Sequence, residues 1–295
     1  MTSSPGRGLL HLAAAVDRPG VRDTGPYVEL ARLAERGGLD FVTLDDDAFA
    51  GPGPDAPAVL SRVAPATHRV GLVPRFTTAD AVADLDRVSG GRAGWRIGGN
   101  AVSAAESPSP VSGPPQGRPV CVVDAVEGPA LSVAARRADV ALVRVADCAQ
   151  ARAVSHRLRS EAARSGRDPN SLRVLASLLI DLGDGEHAAE RGHGGGGPRQ
   201  TAQGPLYRGG PVDLADLIAS WRQDGEVDGF HLIPVEPRRD LERLVNGTVA
   251  LLQHRGMFRT FYPGSTLREH LGLPPRAADR PTIRTVDFRT PPGPG

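Results

Sequence analysis

The chain contains no lysine, so arginine alone supplies its 35 basic residues. These stand against 34 acidic residues, which leaves a formal net charge of +1, and the two signs are interspersed along the chain. Binding to a polyanion or an anionic membrane surface usually shows as a basic excess or a basic cluster. We therefore expect neither nucleic acid nor a membrane surface as a partner.

Cysteines and long apolar runs are also scarce. The two cysteines, Cys121 and Cys148, are far apart and form no CxxC motif, which favours reduced core thiols over a disulfide or a metal site. No segment approaches the roughly 20 apolar residues of a spanning helix, and no basic stretch followed by an apolar run opens the chain. We expect a cytoplasmic protein.

Short apolar runs alternate with amphipathic stretches, which predicts repeated β-α units around a parallel sheet. The predicted fold is α/β, a single TIM-like (β/α)8 barrel over residues 1–273, truncated after strand 4 and followed by a Pro-rich tail at 274–295. Strands are predicted at 9–16, 40–44, 69–76, 94–97, 119–124, 139–145, 172–182 and 229–233. Helices are predicted at 27–36, 56–64, 79–88, 129–137, 148–165, 212–222 and 238–255.

Two segments break this pattern. Gly98–Arg118 is rich in Gly, Ser and Pro, and it is too short for the roughly 30 residues of a complete crossover unit, so we expect no long fourth helix. Gly183–Gly210 contains the glycine run 194–197 and is predicted to be a loop.

Four stretches together resemble the luciferase-like flavin-dependent monooxygenases, in the branch of nitrilotriacetate monooxygenase and the pristinamycin synthase large subunit. The first two are LARLAERGGLDFVTLDDDAF at Leu30–Phe49 and LDRVSGGRAGWRIG at Leu85–Gly98. The other two are DGFHLIP at Asp228–Pro234 and the C-terminal run LLQHRGMFRTFYPGSTLREHLGLP at Leu251–Pro274. The motifs occur in family order and span most of the chain.

This resemblance implies reduced FMN at the C-terminal mouth of the barrel, a separate flavin reductase, and oxidation of a small organic substrate by O₂. The deazaflavin F420, which related barrels use, is an open alternative. The family's loop over the flavin after strand 3 and its long insertion after strand 4 are missing here. The second hypothesis is therefore a degraded, non-catalytic or weakly flavin-binding paralogue that acts as a binding or scaffold partner. A homodimer, or a heterodimer with an intact relative, is compatible with either.

Candidate flavin contacts lie where predicted strands end, since the chemistry of such barrels sits at the carboxyl ends of the strands. Asp45 follows strand 2 and opens the run Asp45–Asp47, while Thr77 and Asn100 follow strands 3 and 4. Each has a plain alternative as a loop, helix-cap or turn residue. Three adjacent carboxylates would also suit Mg²⁺, but no further acids or histidines recur at ligand spacing, so no metal is predicted.

Phosphate binding is predicted at two glycine-containing turns. Gly128 precedes the helix that follows strand 5, and Gly209 precedes the predicted helix at 212–222; both helix starts offer backbone N–H groups. Asp124 and Glu127 place negative charge beside the first turn, so we expect FMN to bind weakly. No catalytic residue is assigned, and His231 on the last strand is interpreted as a core histidine rather than a catalyst.

Overall fold

The computed structural model describes residues 10–18, 21, 23–45, 55–75, 78–98, 115–126, 128–183, 197–223 and 227–274. Within these residues, eight parallel strands lie side by side in the order β3-β2-β1-β10-β7-β6-β5-β4. These barrel strands are β1 (His11–Ala15), β2 (Phe41–Leu44), β3 (Gly71–Pro74), β4 (Gly94–Ile97), β5 (Val120–Asp124), β6 (Val140–Val143), β7 (Arg173–Asp181) and β10 (Gly229–Pro234).

The barrel closes between β3 and β4 by single bridges rather than by a full ladder. Leu72 bridges Ala93 and Arg75 bridges Arg96, both in parallel. The result is a nearly closed TIM-like barrel, as the sequence predicts. The connection from β4 to β5 has no helix in its described part, residues 98 and 115–119, and the rest of it lies outside the described residues.

Side-chain alternation along the strands separates an inner core from an outer layer. The inner core contains Phe41, Val73, Val122, Leu142 and Leu175, while the outer layer packs against the helices. The helices are α1 (Gly25–Arg36), α2 (Ala56–Val63), α3 (Ala79–Ser89), α4 (Pro129–Arg137), α5 (Cys148–Arg164), α6 (Pro211–Gln223), α7 (Pro237–Arg243), α8 (Ala250–His254) and α9 (Leu267–His270). Among the helices of the described residues, none has the length and apolar character needed to cross a membrane.

The amino-terminal end of the barrel is plugged by α9, which begins with a capping box at Thr266 and Glu269. Leu267, Leu271 and Leu273 join the inner core. Leu267 fills space that side chains at Gly71 and Gly94 would need, because its methyl groups lie against both positions.

Three features were not predicted. Residues 183–210 were predicted to be a loop throughout, but the described part contains the antiparallel pair β8 (Arg199–Thr201) and β9 (Gly204–Arg208), and β9 extends the sheet along β7. The last long helix is interrupted by a π-helical turn at Leu244–Val249. The short α9 was also missed. The Pro-rich tail lies outside the described residues from position 275 onward.

Candidate functional site

Charged side chains of both signs follow one another around the carboxyl-terminal mouth of the barrel. Asp45 follows β2, Arg75 follows β3, Arg96 lies on β4, Asp124 ends β5 and Arg144 follows β6. Each lies an even number of residues from an inner position of its strand, such as Phe41, Val73, Gly94, Val122 or Leu142, so each belongs to the inner face. We call these five residues the charged rim.

Arg96 is held between two carboxylates of the charged rim. Its Nε donates to Asp124 Oδ1 at 2.9 Å, and its Nη1 donates to Asp45 Oδ2 at 3.1 Å. The residue is only 7% exposed. Burial by itself lowers the pKa of Arg96, but the charges of Asp124 and Asp45 outweigh it and raise the pKa, so Arg96 is a permanent cation. It spans the bridged seam of the barrel, since Asp45 and Asp124 stand on either side of it.

The carboxylates of this clamp have further neighbours. The backbone N–H of Asp45 donates to Asp17 Oδ1 at 2.8 Å, which ties the ends of β1 and β2 together. A Cβ atom at Gly98 would collide with the Asp124 carboxylate, so a larger residue there would have to displace this side chain. The charge of Asp124 is compensated by Arg96, and this removes part of the expected repulsion of a phosphate.

One layer below the charged rim lies a buried polar trio. His231 Nε2 lies 2.9 Å from Thr43 Oγ1, and His231 Nδ1 lies 3.0 Å from Ser177 Oγ. Burial lowers the pKa of His231 well below its usual value, and the charges of Arg96 and Arg144 lower it further. The ring is therefore neutral, with both nitrogens satisfied, and it fits the prediction of a core histidine.

Arg144 differs from Arg96 in its surroundings. The residue is exposed, and its side chain runs beside Gly204 at the start of β9, where an added Cβ would lie 3.7 Å from Arg144 Cδ. Within the described part of the chain, no hydrogen bond or ion pair holds its guanidinium. Arg144 therefore presents a cation at the mouth that none of the described residues compensates.

The predicted site residues are placed as follows. Asp45 lies in the Arg96 clamp. Gly128 is the N-cap of α4, with φ of +55° and no side-chain hydrogen bond to the first turn. The Gly209 N–H donates to the Asp181 carbonyl at 3.1 Å, so that group is already used. Thr77 and Asn100 lie outside the described residues.

Sequence reasoning missed Arg96 and Arg144 and treated Asp124 only as a source of repulsion. A sequence signal for them does exist. Every second residue of a strand faces the barrel interior, and the position two residues beyond the last apolar inward-facing residue is Arg96 in one strand and Arg144 in the other. No group of three or more His, Cys, Asp or Glu side chains among the described residues is arranged to hold a metal ion.

Comparisons with known proteins agree with this architecture. The model of the luciferase-like monooxygenase family matches residues 8–107 and 98–216. Nitrilotriacetate monooxygenase component A of Aminobacter aminovorans is 23% identical, and the alignment covers 84% of this chain and 89% of that protein. N-acetyl-S-(2-succino)cysteine monooxygenase of Bacillus subtilis is 22% identical with the same coverage. That alignment spans 393 positions, so the relative has roughly one hundred or more residues with no counterpart here.

Solved structures show the same fold. The EDTA monooxygenase from a Chelativorans species superposes with a TM-score of 0.73 at 19% identity, covering 92% of this chain and 100% of that one. An F420-dependent tetrahydromethanopterin reductase from Methanopyrus kandleri superposes with a TM-score of 0.60 at 15% identity, covering 83% of this chain and 99% of that one. The barrel is therefore shared by proteins of different activities, one of which depends on coenzyme F420.

Proposed function

This chain belongs to the luciferase-like monooxygenase family, and we propose that it takes reduced FMN from a separate reductase and uses O₂ to oxidise a small organic substrate at the barrel mouth. The family match and the monooxygenase relatives support a flavin-dependent monooxygenase over the alternative of a degraded scaffold protein. The name of one relative, component A, supports a second protein component as partner.

The charged rim is the observation that carries the proposal. Barrel enzymes of this kind bind ligands at the carboxyl ends of their strands, and among the described residues this end combines exposed positions with polar side chains on the inner face. The opposite end is closed by Leu267, Leu271 and Leu273. A ligand that enters the barrel therefore meets Arg96 and Arg144 first.

The donor chemistry of the mouth fits a flavin. A flavin ring has carbonyl and N–H groups at one edge and carries a phosphate on its side chain, so it needs polar groups for the edge and cationic or backbone N–H donors for the phosphate. Asp45, Thr77 and Asn100 are the proposed contacts for the ring edge. Gly128 and Gly209, at the starts of α4 and α6, are the proposed phosphate turns. Gly128 suits this role better, since no side chain caps the first turn of α4.

Bound reduced flavin would supply the electrons that activate O₂. The described residues would bind and orient the flavin and the substrate. The Arg96 clamp fixes the side of the mouth formed by β2, β4 and β5, so the carboxylate oxygens of Asp45 and Asp124 are held in place. His231 contributes a neutral polar floor and not a general acid, because burial keeps its pKa far below neutral pH. Catalytic proton transfer is not assigned to any residue.

The choice of cofactor and the cellular location are part of the same proposal. FMN is preferred to F420 because the nitrilotriacetate branch carries the motif resemblance at Leu85–Gly98. The cytoplasm is the proposed location, which suits two cysteines, Cys121 and Cys148, that form no disulfide within the described residues.

Flavin binding tests the proposal directly. The purified protein is titrated with FMN, with riboflavin and with F420, and fluorescence quenching is followed; oxygen consumption is then measured with a flavin reductase and NADH. We expect saturable binding of FMN, weaker than that of a protein that purifies with stoichiometric flavin. Failure to bind either oxidised or reduced FMN would overturn the proposal, and preferential binding of F420 would replace the cofactor.

A further inference from the structure

Two arginines point their charge at the mouth but differ in what surrounds them. The Arg96 guanidinium is buried and paired with Asp45 and Asp124. The Arg144 guanidinium is exposed and has no ion pair or hydrogen bond within the described residues. Arg75, the third arginine of the charged rim, is half-buried and already interacts with other groups.

Register places Arg144 over the barrel interior. In β6, Leu142 lies in the inner core, and two residues later Arg144 leaves the strand on the same face. Its charge is one of the influences that depress the pKa of His231, which lies in the layer below, and this agrees with a guanidinium above the central polar trio. The start of β9 at Gly204 lies beside the stem of Arg144, where an added Cβ would be at ordinary van der Waals distance from Cδ.

The neighbouring strand end adds a second donor group. Asp124 pairs with Leu142 in the ladder between β5 and β6, so the chain segments that follow these strands rise side by side. One leads to Arg144 and the other to Gly128, whose helix start lacks a side-chain cap. An uncapped helix start and a guanidinium that pairs with none of the described residues, on adjacent strand ends, suit an anion with several oxygens.

We propose that Arg144 is the oxyanion-binding residue of the mouth, which takes either the phosphate of FMN or a carboxylate of the substrate. The assignment rests on the proposed function, since both anions belong to that reaction. Arginine binds phosphate and carboxylate groups through charge-assisted, frequently paired hydrogen bonds, and Arg96 is not free to do so.

The test compares Arg144→Met, Arg144→Lys and wild type for binding of FMN and of riboflavin, which lacks the phosphate. Arg157→Met is the matched control, because Arg157 is an exposed arginine on α5, outside the barrel mouth. If the phosphate is the anion, Arg144→Met weakens FMN binding roughly tenfold or more, leaves riboflavin unchanged, and Arg144→Lys recovers part of the loss. Each variant is checked for unchanged thermal unfolding, since removing an exposed, unpaired charge should not disturb the fold.

A second arm addresses the substrate. Succinate and nitrilotriacetate are added to the riboflavin-saturated protein, and the change in the flavin spectrum is followed. If a substrate carboxylate is the anion, this response is lost in Arg144→Met while both flavins bind as in wild type. Equal responses of wild type and Arg144→Met to FMN, riboflavin and both carboxylates would overturn the assignment. Carboxylate binding is also measured without flavin, by titration calorimetry. If wild type binds no flavin but binds a carboxylate that Arg144→Met does not bind, the proposed function alone would be overturned.

Discussion

Arginine and aspartate side chains pair at both ends of the barrel, but the pairs have different roles at the two ends. At the amino-terminal end, Asp40 contacts His11 and Arg259, and Asp139 accepts from Arg268 at 2.8 Å; all five residues are nearly inaccessible to water. At the mouth, Arg96 is equally well paired, but it borders open residues that include Arg144. Paired charge that is sealed by apolar side chains holds a chain segment in place, whereas charge at an open rim is available to a ligand.

The comparison predicts that the largest loss of stability comes from the sealed end. Arg268→Met would remove the buried ion pair with Asp139 and the hydrogen bond to the Arg118 carbonyl. We expect the free energy of unfolding to fall by about 3–5 kcal/mol, as for other buried pairs broken from one side. Chemical denaturation with urea measures this loss.

The control for that experiment is an exposed pair of the same type. Arg87 and Asp84 are joined across one turn of α3, with side chains 51% and 63% exposed. Arg87→Met should cost less than about 1 kcal/mol, because water screens the pair. Similar losses for Arg268→Met and Arg87→Met would contradict the view that the sealed pair holds the plug.

The apolar part of the plug gives the next effect. Leu267 is fully buried and lies against Gly71 and Gly94, where the barrel wall has no side chains. Leu267→Ala would leave a cavity that the glycines cannot fill, so we expect a loss of about 3 kcal/mol in urea unfolding. Val88→Ala, at a 56% exposed position on α3, should be nearly neutral. An equally small loss at Leu267 would show that α9 does not support the barrel.

The sequence predicted the barrel well because its strands and helices carry strong local patterns. The bounds of Gly94–Ile97 and Pro129–Arg137 agree fully with β4 and α4. The hairpin of β8 and β9 was missed because Arg199–Thr201 is polar and largely exposed, so it lacks the apolar alternation of a strand.

The site was harder to predict for a different reason. Pairing of Arg96 with Asp45 and Asp124 joins residues that are far apart along the chain, and local patterns do not report such contacts. The C-terminal arginines illustrate the same point. Arg259 and Arg268 match the family motif in the sequence, but their role as buried partners of Asp40 and Asp139 appears only once the strands are assembled.

The mouth should tolerate the loss of its paired arginine better than the sealed end. In Arg96→Met, Asp45 and Asp124 would lose their shared cation, but their side chains are 27% and 15% exposed and can be hydrated. We expect a loss of about 1–3 kcal/mol in urea unfolding, together with weaker FMN binding because negative charge would face the flavin. If Arg96→Met destabilised the protein more than Arg268→Met, the contrast between the two ends would be wrong.

The smallest expected effect tests an exception at the sealed end. Asp86 is fully buried near the start of β4, where its Oδ1 accepts from Gln116 Nε2 at 2.6 Å and from the Ala93 N–H at 3.1 Å. Its Oδ2 accepts no hydrogen bond from any of the described residues. Burial raises the pKa of Asp86 to about 6, although these hydrogen bonds lower the pKa and offset part of the effect. The folded state therefore holds a proton on Asp86 that the unfolded chain releases near pH 4.

The sign of the pH dependence follows from that difference in proton binding. Between about pH 4 and pH 6 the folded protein binds more protons at Asp86 than the unfolded chain does, so this residue lowers stability as the pH rises, with no further change above about pH 6. Asp86→Asn removes the titration, and we expect it to gain about 1–2 kcal/mol relative to wild type between pH 4 and pH 8. The quantity to measure is the difference in unfolding free energy between the two proteins at each pH. Wild type alone is not sufficient, because burial lowers the pKa of His270 to about 4, which raises stability with pH across the same interval. A difference that stays constant from pH 4 to pH 8 would show that Asp86 is ionised in the folded protein throughout this range.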